Sequence, residues 1–164
     1  MKGKKMIVVI VLAGMLLALA APVAAEDNIL NCTGTEHFHA FLSPGDWKPV
    51  DGHVRVRGMM MQYKEEATCP QAAGINTVVI NANWTENQIG PMWGTAHSET
   101  PYGGGGIWEG TWQGKTNADG SSSYRGVSQG VSGSVEGLIM WFEAHTAPGG
   151  VTQLTYTLRD PGGE

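Results

Sequence analysis

Seven stretches of this chain alternate apolar and polar residues with period two, and each is bounded by Gly, Pro, Asn or Asp. That period belongs to strands with one face buried and the other wet. The stretches are 53–64, 75–85, 91–99, 106–116, 122–130, 134–146 and 151–159. Val54 and Val56 alternate with His53, Arg55 and Arg57, and Val78, Ile80, Ala82 and Trp84 share a face. Leu138, Met140 and Phe142 oppose Ile139 and Trp141, and Leu154, Tyr156 and Leu158 align. Helical periodicity is nearly absent after the first 25 residues, because glycine interrupts almost every candidate window. An eighth, short strand is expected around 35–42, in a segment with turn signals at Ser43-Pro44-Gly45-Asp46 and Val50-Asp51-Gly52. Seven or eight strands joined by short turns in one domain form a sandwich or a barrel.

Glycine favours the barrel. The chain has 24 glycines in 164 residues, about twice the ordinary ~7 %. They follow no Gly-X-Y period, which excludes collagen, and six Trp spread along the chain argue against disorder. In the run from Gly106 to Gly114, the Trp and Gly residues share one face. Gly126, Gly130, Gly133 and Gly137 follow. Glycine inside a strand marks a bend, a bulge or a close approach, and small closed barrels need such bends at their corners. The expectation is an all-β, antiparallel, closed or nearly closed barrel of about eight strands, with a β-sandwich as the alternative. Asn117-Ala118-Asp119-Gly120 marks a hairpin between the fourth and fifth runs.

The first 25 residues read as an address. Lys2, Lys4 and Lys5 precede an apolar run from Met6 to Ala21, and Val23-Ala24-Ala25 offers a cleavage site. An uncleaved anchor helix is the other reading of this segment. Cleavage removes three lysines and no acid, leaving seven basic and 15 acidic residues and a charge of −8. An acidic domain lacks the basic face that nucleic-acid binding requires. Nothing after the signal is long and apolar enough to span a membrane as a helix. The expected organisation is thus a signal peptide over 1–25, an irregular segment with one short strand over 26–52, and the barrel over 53–164. The implied location is secreted or periplasmic. Cys32 and Cys69, the only cysteines, are expected to form a disulfide in an oxidising compartment.

The glycine and Trp spacing carries a resemblance. It comprises Met92-Trp93-Gly94-Thr95, then Gly105 followed by Trp108-Glu109-Gly110-Thr111-Trp112 and Gly114. Ala118-Asp119-Gly120, Gly126 to Gly130, and Val135-Glu136-Gly137-Leu138 complete it. This pattern resembles secreted bacterial barrels of the allene oxide cyclase and dirigent-like superfamily, over roughly 53–158. The resemblance implies a barrel holding a small apolar compound, with cyclisation or coupling steered without a cofactor. None of that family's active-site residues maps onto a position here.

Several residues are candidates for chemistry. His37 and His39 face the same way on a strand, as metal ligation requires, with a third ligand from His53, His97, His145, Glu36 or Glu99. They read equally as polar residues on a wet face with Phe38 inward. Trp93, Thr95, His97 and Glu99 share a face. In a lumen, His97 and Glu99 would be an acid–base pair beside an aromatic wall; outside, they are a solvated face. Trp141, Glu143 and His145 repeat the set in reverse order. Glu109 is either a lumen carboxylate with a raised pKa or a surface residue. Met59-Met60-Met61 would converge on a soft metal only with a bulge, and otherwise packs. Gly103 to Gly106 lacks the Lys and helix of a phosphate loop.

These residues give three functional expectations. The first is a secreted barrel that binds a small apolar or aromatic ligand in its lumen, with Trp93, Trp108, Trp112 and Trp141 as ligand-binding candidates and no cofactor. The second is a structural or adhesive surface protein without a ligand. The third is a cofactor-free cyclase or isomerase using Glu109, Glu99 or His97.

Overall fold

The computed structural model describes residues 28–162, so the expected signal segment lies outside the described residues. Nine strands are described: β1 (Asn28–Ser43), β2 (Asp46–Val50), β3 (His53–Ala67), β4 (Gly74–Thr85), β5 (Gly90–Thr100), β6 (Gly106–Thr116), β7 (Ser122–Gly133), β8 (Ile139–Thr146) and β9 (Thr152–Asp160). Two short 3-10 turns, Pro70–Ala72 and Tyr102–Gly104, accompany them. Each strand pairs antiparallel with its neighbour in the order β1-β9-β8-β7-β6-β5-β4-β3, and β1 closes the ring on β3. The fold is a closed eight-stranded barrel with one extra strand. That strand, β2, continues where β1 leaves off along β3, pairing Asp46–Val50 with 53–57. It is exposed along its whole length and carries Pro49, which an edge strand tolerates.

Two expectations are corrected. The described part of the segment expected to be irregular, 28–52, is not so: β1 runs for 16 residues and pairs with both β9 and β3. Its bulges after Phe38 and Phe41 and its Asn, Thr, Gly and His content conceal the alternation. The run at 134–146 begins as a strand only at Ile139; residues 134–137 form the turn joining β7 to β8.

The interior follows the pleat. Val78, Ile80, Ala82 and Trp84 from β4, Met140 and Phe142 from β8, and Leu154, Tyr156 and Leu158 from β9 are all buried. Trp112 shows what the glycines do. Its cross-strand partners are Gly94 on β5 and Gly126 on β7. A Cβ on Gly94 would lie within van der Waals radii of the Val79 carbonyl and 3.2 Å from the Trp112 indole nitrogen. Pairing the largest side chain with the smallest neighbours fills the taper of a small barrel.

Parity along β3 changes at Gly58. Val56 pairs with Ala82 and Met59 with Ile80, so two residues of β3 oppose one of β4. Gly58 has φ +69°, a left-handed conformation that glycine adopts without a Cβ penalty. The bulge turns Met59, Met61, Tyr63 and Glu65 inward, where strict alternation from Val56 would have chosen Met60, Gln62 and Lys64.

One end of the barrel is closed. The connection between β3 and β4 folds beneath it, with Ala72 buried and the Trp108 indole donating to the Gln71 carbonyl at 2.9 Å. The Thr100 hydroxyl donates to the Pro70 carbonyl at 3.1 Å, and Val135 is fully buried beside them. The Cys32–Cys69 disulfide, Cα–Cα 5.8 Å, fixes this plug to β1. Closing a loop of that length contributes about 3–4 kcal/mol on the chain-entropy account.

Candidate functional site

The other end of the barrel is open. A cavity of about 390 Å3 enters the lumen between the connections at 86–89, 117–121 and 147–151, which contribute Gln88, Gly120 and Gly150 to its rim. Met59, Met61, Val78, Ile80, Trp84, Met92, Trp112 and Phe142 form the apolar part of its wall, and Thr116, Ser122, Thr146 and Thr152 add hydroxyls. Phe38 stands at the rim with its ring edge-on to Tyr63, centroids 6.1 Å apart.

Two carboxyl groups interrupt this wall. Glu36 on β1 and Glu65 on β3 are direct cross-strand partners, both line the cavity, and they are only 7 % and 6 % exposed. Side chains in that relation have Cβ atoms about 4.5–5.5 Å apart. Tyr124 on β7 donates its hydroxyl to Glu36 Oε1 at 2.5 Å, and Asn76 on β4 donates to Glu65 Oε1 at 2.8 Å. Tyr156 on β9 is near enough to favour the Glu65 anion, yet its buried hydroxyl makes no well-formed hydrogen bond. Asn76 Oδ1 and Trp84 Nε1 are likewise buried without partners.

Burial governs the acidity of this group. Loss of water pushes Glu36 up to about 7, against the opposing pull of the Tyr124 hydrogen bond. Glu65 is pushed up to about 8, by burial first and by the neighbouring Glu36 second, with Asn76 and Tyr156 pulling the other way. Two carboxyls side by side in a low-dielectric lumen cannot both ionise readily, so the pair retains protons near neutral pH. Tyr63 is pushed up to about 12 by burial and by Glu36. Tyr124 and Tyr156 are also driven upward, chiefly by burial, and stay neutral.

The residues singled out from sequence divide between the two faces of the wall. Trp112 lines the cavity and Trp108 lies in the plug, 1 % exposed. Trp93 and Trp141 are on the outside, 36 % and 41 % exposed. Arg57 stacks on Trp93, its guanidinium carbon 4.9 Å from the ring centroid. His97, Glu99 and Glu109 do come together, but outside. His97 Nε2 is 3.7 Å from Glu99 Oε1, and His97 Nδ1 is 3.7 Å from Glu109 Oε1. They are 42 %, 73 % and 63 % exposed in side chain. Water there screens them, and they cannot reach a molecule in the lumen. The Trp141, Glu143 and His145 set is on β8, separated from β5 by β6 and β7. His37 and His39 are exposed on β1, and among the described residues no His, Cys, Asp or Glu group has the arrangement of a metal site. Met59 and Met61 share the lumen because they are two apart, with Met60 between them on the other face.

The lumen carboxyls escaped the sequence reading, although one signal was present. Glu36 shares a face with Phe38, and Phe38 inward implies Glu36 inward. Glu65 lay beyond the expected end of its strand and on the wrong parity until the Gly58 bulge is known.

Comparison with protein-family models, with curated proteins and with solved structures gives no match for this chain.

Proposed function

We propose that this protein is an exported binder that holds one small, predominantly apolar or aromatic molecule in the barrel lumen. The observation that carries the reading is the cavity itself. About 390 Å3 of space is lined by Met, aliphatic and aromatic side chains, and buried carboxyl, amide and phenol groups share that lining. That combination is the ordinary anatomy of a small-molecule pocket. The barrel, the plug and the disulfide keep the pocket formed without a ligand, so little ordering cost is incurred on binding.

The test uses N-phenyl-1-naphthylamine, a neutral apolar dye that brightens out of water. Saturable fluorescence is expected with the purified barrel, lost in Ala96→Trp, whose ring would occupy the lumen. Absence of saturable binding, or equal binding by the filled variant, would favour the structural or adhesive reading. The cofactor-free isomerase reading is favoured by one observation, the buried carboxyl pair, whose raised pKa values suit proton transfer near neutral pH. In that case a bound molecule would be converted, and Glu65→Gln would stop the conversion while leaving dye binding intact.

A further inference from the structure

We propose that the Glu36–Glu65 pair in the lumen recognises an ammonium group, so that the molecule held there is a small hydrophobic amine. This inference rests on the lumen-binding reading and narrows it.

Three observations point the same way. First, the carboxyl pair has no countercharge: no lysine, arginine or histidine is among the described residues lining the cavity. A buried carboxylate is tolerated only when paired or protonated, and here no basic side chain lining the cavity supplies the pairing. Second, Asn76 is 7 % exposed and lines the cavity, and its Oδ1 has no hydrogen-bond partner. Its amide nitrogen donates to Glu65, and the unpartnered oxygen offers an incoming molecule an acceptor. Third, the Tyr124 hydroxyl is likewise committed, donating to Glu36. Around the pair, the groups left to a ligand are the remaining carboxyl lone pairs of Glu36 and Glu65 and the Asn76 oxygen, which are acceptors; the unpartnered donor in the lining, the Trp84 indole N–H, lies eight residues from Asn76 along β4. An ammonium brings up to three donors and one positive charge and accepts nothing. An alcohol brings one donor and no charge, and a carboxylate brings a charge of the wrong sign. Trp84, Trp112 and Phe142 line the same space, and their ring faces suit the apolar body of such a ligand and the rim of its charge.

The amine takes over the role that a proton plays in the empty lumen. Groups facing the pair are Tyr63 on β3, Tyr124 on β7 and Tyr156 on β9, all neutral throughout the working range. The titration is therefore that of Glu36 and Glu65 alone. Binding at pH 7 displaces protons from the pair, and affinity rises as pH increases from 6 to 8.5.

Calorimetric titration of the whole exported domain at pH 8 with 2-phenylethylamine, 2-phenylethanol and phenylacetate tests the proposal. The amine is expected to bind at least tenfold tighter than the alcohol, with phenylacetate weakest. At pH 7 the amine's heat should vary with buffer ionisation enthalpy in the sense of proton release. Glu36→Gln and Glu65→Gln should each erase the tenfold preference, with a cooperative thermal unfolding transition certifying that the variants fold. Alcohol binding as tight as the amine would overturn the ammonium site and leave lumen binding standing. So would N-phenyl-1-naphthylamine binding with none of the three probes bound, or competition by calcium or magnesium without amine binding. Failure of the dye and all three probes would remove both readings.

Discussion

The barrel carries two clusters of glutamates, one on each side of its wall, and they share almost nothing but composition. Outside, Glu99 and Glu109 flank His97 at 3.7 Å, all three in contact with water. Inside, Glu36 and Glu65 face each other across neighbouring strands with less than a tenth of their surface exposed. An exposed pair is worth about 0–1 kcal/mol and is screened by salt. The inner pair is pushed into the neutral range by the lack of water and by mutual repulsion. What a carboxyl can do here is decided by which face of one strand it occupies, a matter of a single residue's parity.

The same contrast holds for the indoles, and there the effect of substitution is largest. Trp112→Ala would open a void between Gly94 and Gly126, which have no side chains to fill it. A loss of about 3–5 kcal/mol is expected in denaturant unfolding. Trp93→Ala on the outer face removes a half-exposed ring and its contact with Arg57, at a cost of about 1 kcal/mol or less. Equal losses would break the inside–outside distinction.

The carboxyls give the next largest effect, and its sign is fixed by linkage. Glu36 and Glu65 hold their protons to higher pH in the folded chain than in the unfolded one, where they titrate near 4.5. Between about pH 4.5 and 8 the native state therefore binds more protons, and stability falls as pH rises. Glu65→Gln should remove much of that slope and stabilise the protein by a few kcal/mol, on the order of 2–4, at pH 8.5 but not at pH 4. Glu109→Gln should change stability by less than about 0.5 kcal/mol at either pH. Chemical unfolding across pH 4 to 8.5 reads both.

The smallest effect concerns the parity device itself. Gly58→Val places a β-branched residue at φ +69° and should cost about 1–2 kcal/mol. Deleting Gly58 instead is expected to send Met59, Met61, Tyr63 and Glu65 outward or to shift the register of β3, abolishing dye binding in the lumen. Retained binding after the deletion would show that the bulge does not set the inner face.

These comparisons also show what could be read from the residues alone. Seven of the nine strands follow from period-two alternation, which also groups the residues that share a face on β4, β8 and β9, and the closed barrel follows from glycine on the Trp-bearing face of β6. The disulfide follows from two cysteines in a chain read as exported. The site was less legible, because it depends on two features that alternation does not carry. One is the bulge at Gly58, which reverses the parity of the strand bearing Glu65. The other is the closure of β1 onto β3, which sets Glu36 opposite Glu65 across 28 intervening residues. Alternation places His97 and Glu99 on one face of β5, but it does not bring Glu109 to them and leaves inside and outside undetermined. On the other face of β5 Ala96 is buried and Met92 and Gly94 are part-buried, which settles it.

The most direct measurement is carbon-13 NMR of protein labelled at the glutamate carboxyl carbon, titrated from pH 3 to 10. Two resonances should remain those of the protonated acid past pH 6 and titrate around 7 to 8, each vanishing in Glu36→Gln or Glu65→Gln. If every glutamate titrated near its ordinary value of about 4.3, the lumen would hold no proton-sharing pair, and the site described here would be wrong.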